Sequence, residues 1–463
     1  MLRKLTVDRG QGPPESAGVA KMAMWPYHPD LLARPVPRYT SYPTAAEFTE
    51  AVAEAELAQG LADVRADQRV SLYLHIPFCQ EICWYCGCNT GRANRSQRLD
   101  AYIEALRAEI RTVAARLEGR GRIERIAFGG GSPNALEPVV FARLVDDVLV
   151  AFGTGAPTLS VEIDPRSFGP GWAMTLGKTA TKRVSLGVQT FDADIQAAIG
   201  RVQPTSMILS AVDRLRAYGV RSINFDLMYG LPRQDRARLE ATLDQAIAMR
   251  PDRIALFGYA HVPHMLPRQR RIDATDLPDQ AERFAMAALG HERLVAAGYR
   301  PIGFDHFALP HDELVRAAEG GRLRRNFQGF TEDQAEVLIG LGATAISQFP
   351  DRIVQNDKNN GRYRMRAIAG RLTAERGVLR DAEDRQRGAV IEALLCGDVA
   401  PIAPWLRDGA LADRLAPFLD HALAELEDGN LRVTEAGRPY ARAIASLFDR
   451  HRAHSPQRFS SAI

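Results

Sequence analysis

The sequence predicts an α/β protein whose main body is a (β/α) barrel, complete or partial. Three observations carry that expectation. Apolar runs of strand length alternate with amphipathic stretches of helix length through more than 200 residues, the pattern of a parallel sheet with crossover helices. Polar and glycine residues recur where those strands end: a glycine run, Glu162, Gln189, Asp226 and His261. That edge is where barrels build chemistry. Four cysteines, Cys79, Cys83, Cys86 and Cys88, crowd into ten residues just past the first strand.

The elements follow in order. Leu72, Leu74 and Ile76 alternate with Tyr73 and His75 and stop at Pro77, which reads as a strand delivering the cysteine loop. Leu99, Ile103, Leu106, Ile110, Val113 and Leu117 recur at steps of four and three, placing apolar groups on one helical face. A strand over 123–128 runs into Gly129-Gly130-Gly131-Ser132-Pro133, and 139–152 reads as helix. Further strands are predicted at 159–163, 184–189, 223–229 and 254–259, with helices at 206–218, 237–249 and 279–297. Residues 299–307 add one more strand. An open doubly wound sheet satisfies the alternation as well, but the series of polar strand ends favours the barrel.

Two flanks lie outside the alternation. Residues 1–55 form an N-terminal arm whose Pro35, Pro37, Pro43, Tyr39 and Tyr42 are too aromatic for an inert linker. The barrel domain spans 56–370. Residues 371–463 form a small, mostly helical C-terminal domain, with a short strand at 431–433 and a helix capped by Thr434.

Composition bounds the function. Of 463 residues, 46% are hydrophobic and 25% charged, which excludes a mostly disordered chain. Lys plus Arg is 59 against 56 Asp plus Glu, and a net charge of +3 does not make nucleic acid the default partner. No apolar run reaches the length of a membrane span, and residues 1–9 lack the apolar block of a secretory signal. A cytoplasmic protein with no membrane partner is expected.

An odd cysteine count with four residues clustered argues against a disulfide framework. Crowded thiolates repel one another unless a metal or cluster neutralises them. In Cys79-Gln80-Glu81-Ile82-Cys83-Trp84-Tyr85-Cys86, three thiolates on one loop can hold three irons of a cubane cluster and leave the fourth open to substrate. A zinc loop is the alternative, but zinc usually takes two separated ligand pairs. The glycine run lacks the G-K-[ST] ending of a phosphate loop, and alone it reads as a tight turn. Taken singly, Glu162 reads as a surface carboxylate, Arg201 as a solvated charge, and Cys88 and Cys396 as small buried hydrophobes.

The C-x3-C-x2-C spacing after an apolar strand, with Tyr85 beside the last cysteine, resembles the radical S-adenosylmethionine superfamily. A narrower set of phrases resembles the oxygen-independent coproporphyrinogen III oxidase family. They are 73–79, Cys86-Gly87-Cys88-Asn89, Arg38-Tyr39-Thr40-Ser41-Tyr42-Pro43-Thr44, Gly187-Val188-Gln189, 226–232, Tyr259-Ala260-His261, Asp305-His306-Phe307, 325–329 and Gln457-Arg458-Phe459-Ser460.

The resemblance implies a barrel of the radical S-adenosylmethionine type. A 4Fe–4S cluster would sit on Cys79, Cys83 and Cys86, with two S-adenosylmethionine molecules per chain. Two propionates of coproporphyrinogen III would become vinyl groups, giving protoporphyrinogen IX. It further implies that Tyr73, Cys88 and Arg201 act in catalysis, and that Tyr73, Tyr85, Gly130, Gly131, Ser132, Glu162, Gln189, Arg201, Asp226, Ala260 and Ile346 bind S-adenosylmethionine. The glycines would let backbone approach its methionyl end. The chain is expected to be a monomer fed by a reductase or flavodoxin-type electron donor.

Arg38 and Arg325, in shared phrases, are candidates for the substrate carboxylates. A haem-binding chaperone of the same fold, which would lack Cys88, and another radical enzyme such as a methyltransferase remain the competing readings. Ser132 and Asn134 stand where threonine is commoner in the family, and residues 167–182 depart most from its pattern.

Overall fold

A computed structural model describes residues 25–93, 96–407 and 409–452; the phrase at 457–460 lies outside them. Six parallel strands form the body in sequence order: β1 (Arg69–Ile76), β2 (Arg122–Gly130), β3 (Thr158–Ile163), β4 (Arg183–Gln189), β5 (Ser222–Tyr229) and β6 (Arg253–Gly258). The crossover helices are α1 (Ser96–Leu117), α2 (Pro138–Ala151), α3 (Pro170–Lys178), α4 (Thr205–Ala217) and α5 (Arg236–Ala248), followed by α6 (Gln280–Ala296) after β6. Their starts are locally encoded. Proline occupies the first turn of α2 and α3, while Asp235 and Asp279 accept the N–H groups of Arg238 and Glu282 as N-caps of α5 and α6.

The barrel is partial. Beyond β6, β7 (Arg300–Ile302) and β8 (His306–Ala308) add antiparallel pairs, so the stretch expected as one strand is broken at Gly303, which sits at φ 55° against the Phe330 ring. Beyond β1, the parallel strand β9 (Val337–Leu341) is followed by antiparallel β10 (Ile346–Phe349), β11 (Arg352–Asn356) and β12 (Ala374–Leu379), none of which the sequence pattern announces. Spatial order across the sheet is β12-β11-β10-β9-β1-β2-β3-β4-β5-β6-β8-β7.

Alternation along β3 to β5 sorts the two faces of the sheet. Leu159, Val161, Ile163, Val184, Leu186, Val188, Ile223, Phe225 and Leu227 are buried in the main hydrophobic core. The residues between them, including Glu162, Ser185, Gly187, Gln189, Asn224 and Asp226, point inward; Ser185 Oγ donates to Asp226 at 2.7 Å and Asn224 Nδ2 donates to both Ser185 and Asp226 at 2.8 Å. The polar strand ends therefore line the barrel's interior, and neither Glu162 nor Arg201 is a solvated surface charge.

The opposite end of the barrel is tied by charge. Glu332 is buried against Arg125 of β2 (2.5 Å), Arg183 at the start of β4 and Arg253 at the start of β6 (3.5 Å).

The C-terminal region carries α7 (Ala382–Cys396), α8 (Gly409–Asp420) and α9 (Ala441–Ala445) with a small sheet of Ala400–Pro401, Ala424–Glu427 and Asn430–Val433. Thr434 caps a turn, accepting the Gly437 N–H at 3.0 Å. The N-terminal arm is strapped to this region: Tyr39 Oη donates to Asp449 at 3.0 Å, Tyr42 Oη accepts the Arg450 N–H, and Tyr440 Oη accepts the His28 N–H at 2.8 Å. Its aromatic residues bury there, and Arg38 is carried to the barrel's mouth, donating to the Gly258 carbonyl at 3.1 Å. Among the described residues, no helix is long and apolar enough to cross a membrane.

Candidate active site

The cysteine loop leaves β1 through Pro77 and is held from three sides. Phe78–Cys79 pairs with Gly91–Arg92, and the Ala93 N–H returns to the Cys79 carbonyl at 2.8 Å. The Trp84 N–H donates to Ile199, and its ring lies against Gly200, where a Cβ would come within 2.6 Å of the indole nitrogen. From β2, the N–H groups of Gly131 and Ser132 donate to the carbonyls of Ile76 (2.9 Å) and Phe78 (2.7 Å). A Cβ on Gly131 would meet the Phe78 carbonyl oxygen at 2.5 Å, backbone that has no flexible end to give way. Gly131→Ala is therefore expected to displace the Cys79 end of the loop and cut iron incorporation several-fold, measured as iron and sulfide per chain after anaerobic reconstitution. Gly155→Ala, where a Cβ meets nothing and the backbone is not left-handed, should load as the parent does.

Cys79, Cys83, Cys86 and Cys88 open into one cavity of about 470 Å3, in the size range of small-molecule sites. The same cavity is lined by Tyr85, Gly131, Ser132, Glu162, Gln189, Arg201, Asp226 and Ala260. Charge is arranged around Cys83, whose Sγ accepts from Arg166 Nη2 at 3.3 Å and Arg201 Nη1 at 3.2 Å. Asp164 ties the two guanidiniums together, 2.7 Å from Arg166 and 3.3 Å from Arg201. Burial pushes the Asp164 carboxyl up, but Arg201 and Arg166 together hold it below the usual carboxylate value.

The Cys86 thiol is drawn below its ordinary value, first by the Cys88 thiol that hydrogen-bonds it, and its Sγ also takes the Cys88 N–H at 3.4 Å. Burial pushes the Cys79 thiol up to about 11, against the Thr90 hydroxyl 3.3 Å from its sulfur. Burial likewise pushes Glu162 up to about 7, although it accepts the Gly130 N–H at 3.1 Å. Gln189 sits at φ 66° in a strand irregularity between β4 and β5, a left-handed conformation that costs a non-glycine residue about 1–2 kcal/mol.

The radical SAM superfamily profile matches residues 73–246. The chain is 42% identical over 423 residues to the oxygen-independent coproporphyrinogen III oxidase of Paracoccus denitrificans (strain Pd 1222), covering 89% of this chain and 94% of that one. It is 35% identical to the protein of that name from Escherichia coli (strain K12), covering 89% and 92%. A solved structure of coproporphyrinogen III oxidase from Escherichia coli, described as a radical SAM enzyme, superposes with a TM-score of 0.86 at 33% identity, over 93% of this chain and all of that one.

The chain belongs to the oxygen-independent coproporphyrinogen III oxidase family. Membership carries with it the radical SAM partial barrel and the use of a 4Fe–4S cluster with S-adenosylmethionine.

The residues fit that cofactor for this family. Two guanidiniums reach the Cys83 sulfur, the Cys88 donors draw the Cys86 thiol down, and the thiolate is the form that binds metal. A four-iron cluster takes one thiolate on each of three irons, and Cys79, Cys83 and Cys86 reach the same cavity.

The remaining residues with expected roles sit nearby but apart from the cavity wall. Gly130, at φ 112°, stands one residue behind Gly131 and leaves no room for a side chain beside the His75 imidazole. Tyr73 is buried beneath the site with its hydroxyl 3.1 Å from His75 Nδ1 and its ring edge-on to Phe327. Ile346 begins β10, beside Gly340, which pairs with Tyr73.

Sequence reasoning missed Asp164, Arg166 and Gln269. Gln269 Nε2 bridges the Tyr85 and Ala260 carbonyls at 2.9 and 3.0 Å and so fixes one wall. The available signal was an Asp-Pro-Arg turn directly after β3, another acid at a strand end.

Proposed function

We propose that this chain converts two propionate side chains of coproporphyrinogen III to vinyl groups, giving protoporphyrinogen IX. Each conversion takes one hydrogen atom from the propionate β-carbon and releases CO2 and one electron. Support comes from Cys79, Cys83 and Cys86 opening into one cavity with Glu162, Gln189, Arg201 and Asp226, in a chain aligned along 89% of its length with an oxygen-independent coproporphyrinogen III oxidase. When bound, the cluster supplies the electron that cleaves S-adenosylmethionine to a 5′-deoxyadenosyl radical.

The chain's own residues hold and shield. Cys79, Cys83 and Cys86 ligate, while Arg166 and Arg201 balance the charge on Cys83. Gly131 and Ser132 line the cavity while their N–H groups hold the cysteine loop. Glu162 and Asp226 accept ligand N–H or O–H groups. Gln189, Tyr85 and Ala260 shape the remaining wall, and Gly130, Tyr73 and Ile346 back it from the sheet. Two S-adenosylmethionine molecules would be held there, with Arg201 the cation available to their carboxylates. Cys88, at the cavity mouth, acts on substrate without ligating the cluster. A monomer in the cytoplasm, reduced by a reductase or flavodoxin-type donor, completes the reading, with the arm, barrel and C-terminal domain divided near residues 55 and 370.

The test is an anaerobic assay of reconstituted protein with dithionite, S-adenosylmethionine and coproporphyrinogen III, read by mass spectrometry, with Cys88→Ser alongside. Protoporphyrinogen IX from the parent is the expected result, and the variant should keep its cluster absorption while losing product. Parent protein that cleaves S-adenosylmethionine yet leaves the porphyrinogen intact would overturn the substrate assignment.

A further inference from the structure

Beside the cysteine cavity lies a smaller pocket of about 60 Å3, room for a carboxylate and a few waters. Four arginines from distant parts of the chain line it: Arg38 of the arm, Arg283 of α6, Arg325, and Arg442 of α9. Among the described residues lining it, Asp305 is the one carboxylate, and it is shared between His306 Nδ1 at 2.6 Å and the nearby charges of Arg325 and Arg442.

Arg325 is the least satisfied of the four. Its guanidinium is stacked 4.8 Å from the centre of the Phe304 ring and 4.5 Å from that of Phe330, and Nη2 donates to the Arg38 carbonyl at 3.2 Å. Its Nε and Nη1 are buried with no hydrogen-bond partner. A buried charge-bearing donor left unmatched is costly, and like charges gathered around it add to that cost. Burial and the neighbouring Arg38 charge push Arg442 down to about 10, and burial first of all lowers Arg283 and Arg325 as well. An anion in the pocket relieves all of these at once.

The pocket adjoins the place where chemistry is proposed. Arg38, Phe257, Tyr259 and Ala260 line both it and the cysteine cavity, so one molecule can keep its body in the larger space and reach the arginines with an acidic arm. We infer that Arg38, Arg283, Arg325 and Arg442 form a carboxylate subsite that holds a non-reacting propionate of the tetrapyrrole while a reacting propionate faces the cysteines. The inference rests on the substrate reading above. Planar guanidiniums match carboxylates in two-point fashion, and the Phe304 and Phe330 faces hold one of them in position before the ligand arrives.

The experiment is a fluorescence titration of the cluster-loaded full chain with coproporphyrin III, the oxidised and unreactive ring bearing the same four propionates, and with its tetramethyl ester. The acid is expected to bind and the ester to bind at least tenfold more weakly. Arg325→Gln and Arg442→Gln should each weaken the acid about tenfold, the worth of one charge-assisted hydrogen bond, and leave the ester unaffected. Arg38 is exposed, so Arg38→Gln gives the same reading in a variant whose fold is not at risk, with thermal midpoints compared throughout.

Equal binding of acid and ester by the parent, or undiminished acid binding by all three variants, overturns the subsite, whatever the turnover. Parent protein that forms no protoporphyrinogen IX but loses acid affinity in the variants keeps the subsite and overturns the reaction instead.

Discussion

Cys83→Ala is expected to leave a chain that takes up little iron and cleaves no detectable S-adenosylmethionine. Of the three cysteines in the motif, Cys83 is the one whose environment is built most fully around a negative charge. Its sulfur is buried and lies 3.3 and 3.2 Å from Arg166 and Arg201, two guanidiniums that also share Asp164, with Arg166 reaching Glu81 at 3.1 Å as well. Removing the thiolate removes a ligand and takes from two guanidiniums an acceptor they share. Losing an outer partner of a metal site costs about 10–100-fold, which is the range expected for Arg166→Leu, and losing the ligand itself should exceed it.

The measurements are iron and sulfide content, cluster absorption after anaerobic reconstitution, and 5′-deoxyadenosine formed with dithionite. Cys396→Ala serves as the control, because Cys396 is packed among Ile302, Leu314, Val315 and Phe330, away from the motif. A Cys83→Ala chain that retains the absorption and the cleavage would overturn the three-cysteine assignment.

How much of this could be read from sequence depended on whether a residue's role is local. The six parallel strands and their helices, α3 excepted, were legible because each repeats an apolar period that needs no partner to be seen, and the polar strand ends followed from the same alternation. The cysteine spacing was legible for the same reason. Arg166 was not, since its meaning lies in a sulfur 83 residues earlier in the chain, and its turn falls at the edge of a stretch unlike the family pattern. That stretch nevertheless forms α3, with Trp172 buried and its Nε1 on the Leu136 carbonyl at 3.1 Å.

Strands β9 to β12 escaped because they are short, broken by Gly340, Gly342 and Pro350, and wholly dependent on β1 for an edge to pair with. Their register with α1 is set by a polar group. Glu109 is buried and accepts from Tyr363 Oη at 2.7 Å, Asn356 Nδ2 at 2.9 Å and the Gly342 N–H at 2.6 Å, an arrangement that no periodicity reports.

Glu332 is a second buried acid that only the fold explains, and its loss is expected to be the most destabilising single charge change in the barrel. It closes the end opposite the cysteines, against Arg125, Arg183 and Arg253. Burial pushes its carboxyl up, but the three guanidiniums, Arg253 foremost, bring it down to about 2 from an ordinary 4.5. A carboxyl lowered on folding contributes stability that is complete above pH 4.5 and is lost as pH falls from there through about 2. The size is about 3 kcal/mol. Glu332→Gln removes the shared acid at every pH, while Arg253 keeps Asp312 (2.7 Å), Arg183 keeps Glu313 and Arg125 keeps Asp333 (3.6 Å), so the expected cost is that of the lost charge, about 3 kcal/mol.

Urea unfolding of the cluster-free chain should therefore show a gap of that order at pH 7, and the gap should narrow as pH falls from 4.5 towards 2. A gap independent of pH would mean the arginines are not what lowers Glu332. The consequence reaches the site itself: β2 and β4 are held at one end by Glu332 and present Gly130 and Gln189 at the other. Loosening the ionic end should therefore also blunt cluster uptake, in a variant whose substituted residue touches none of the cavity.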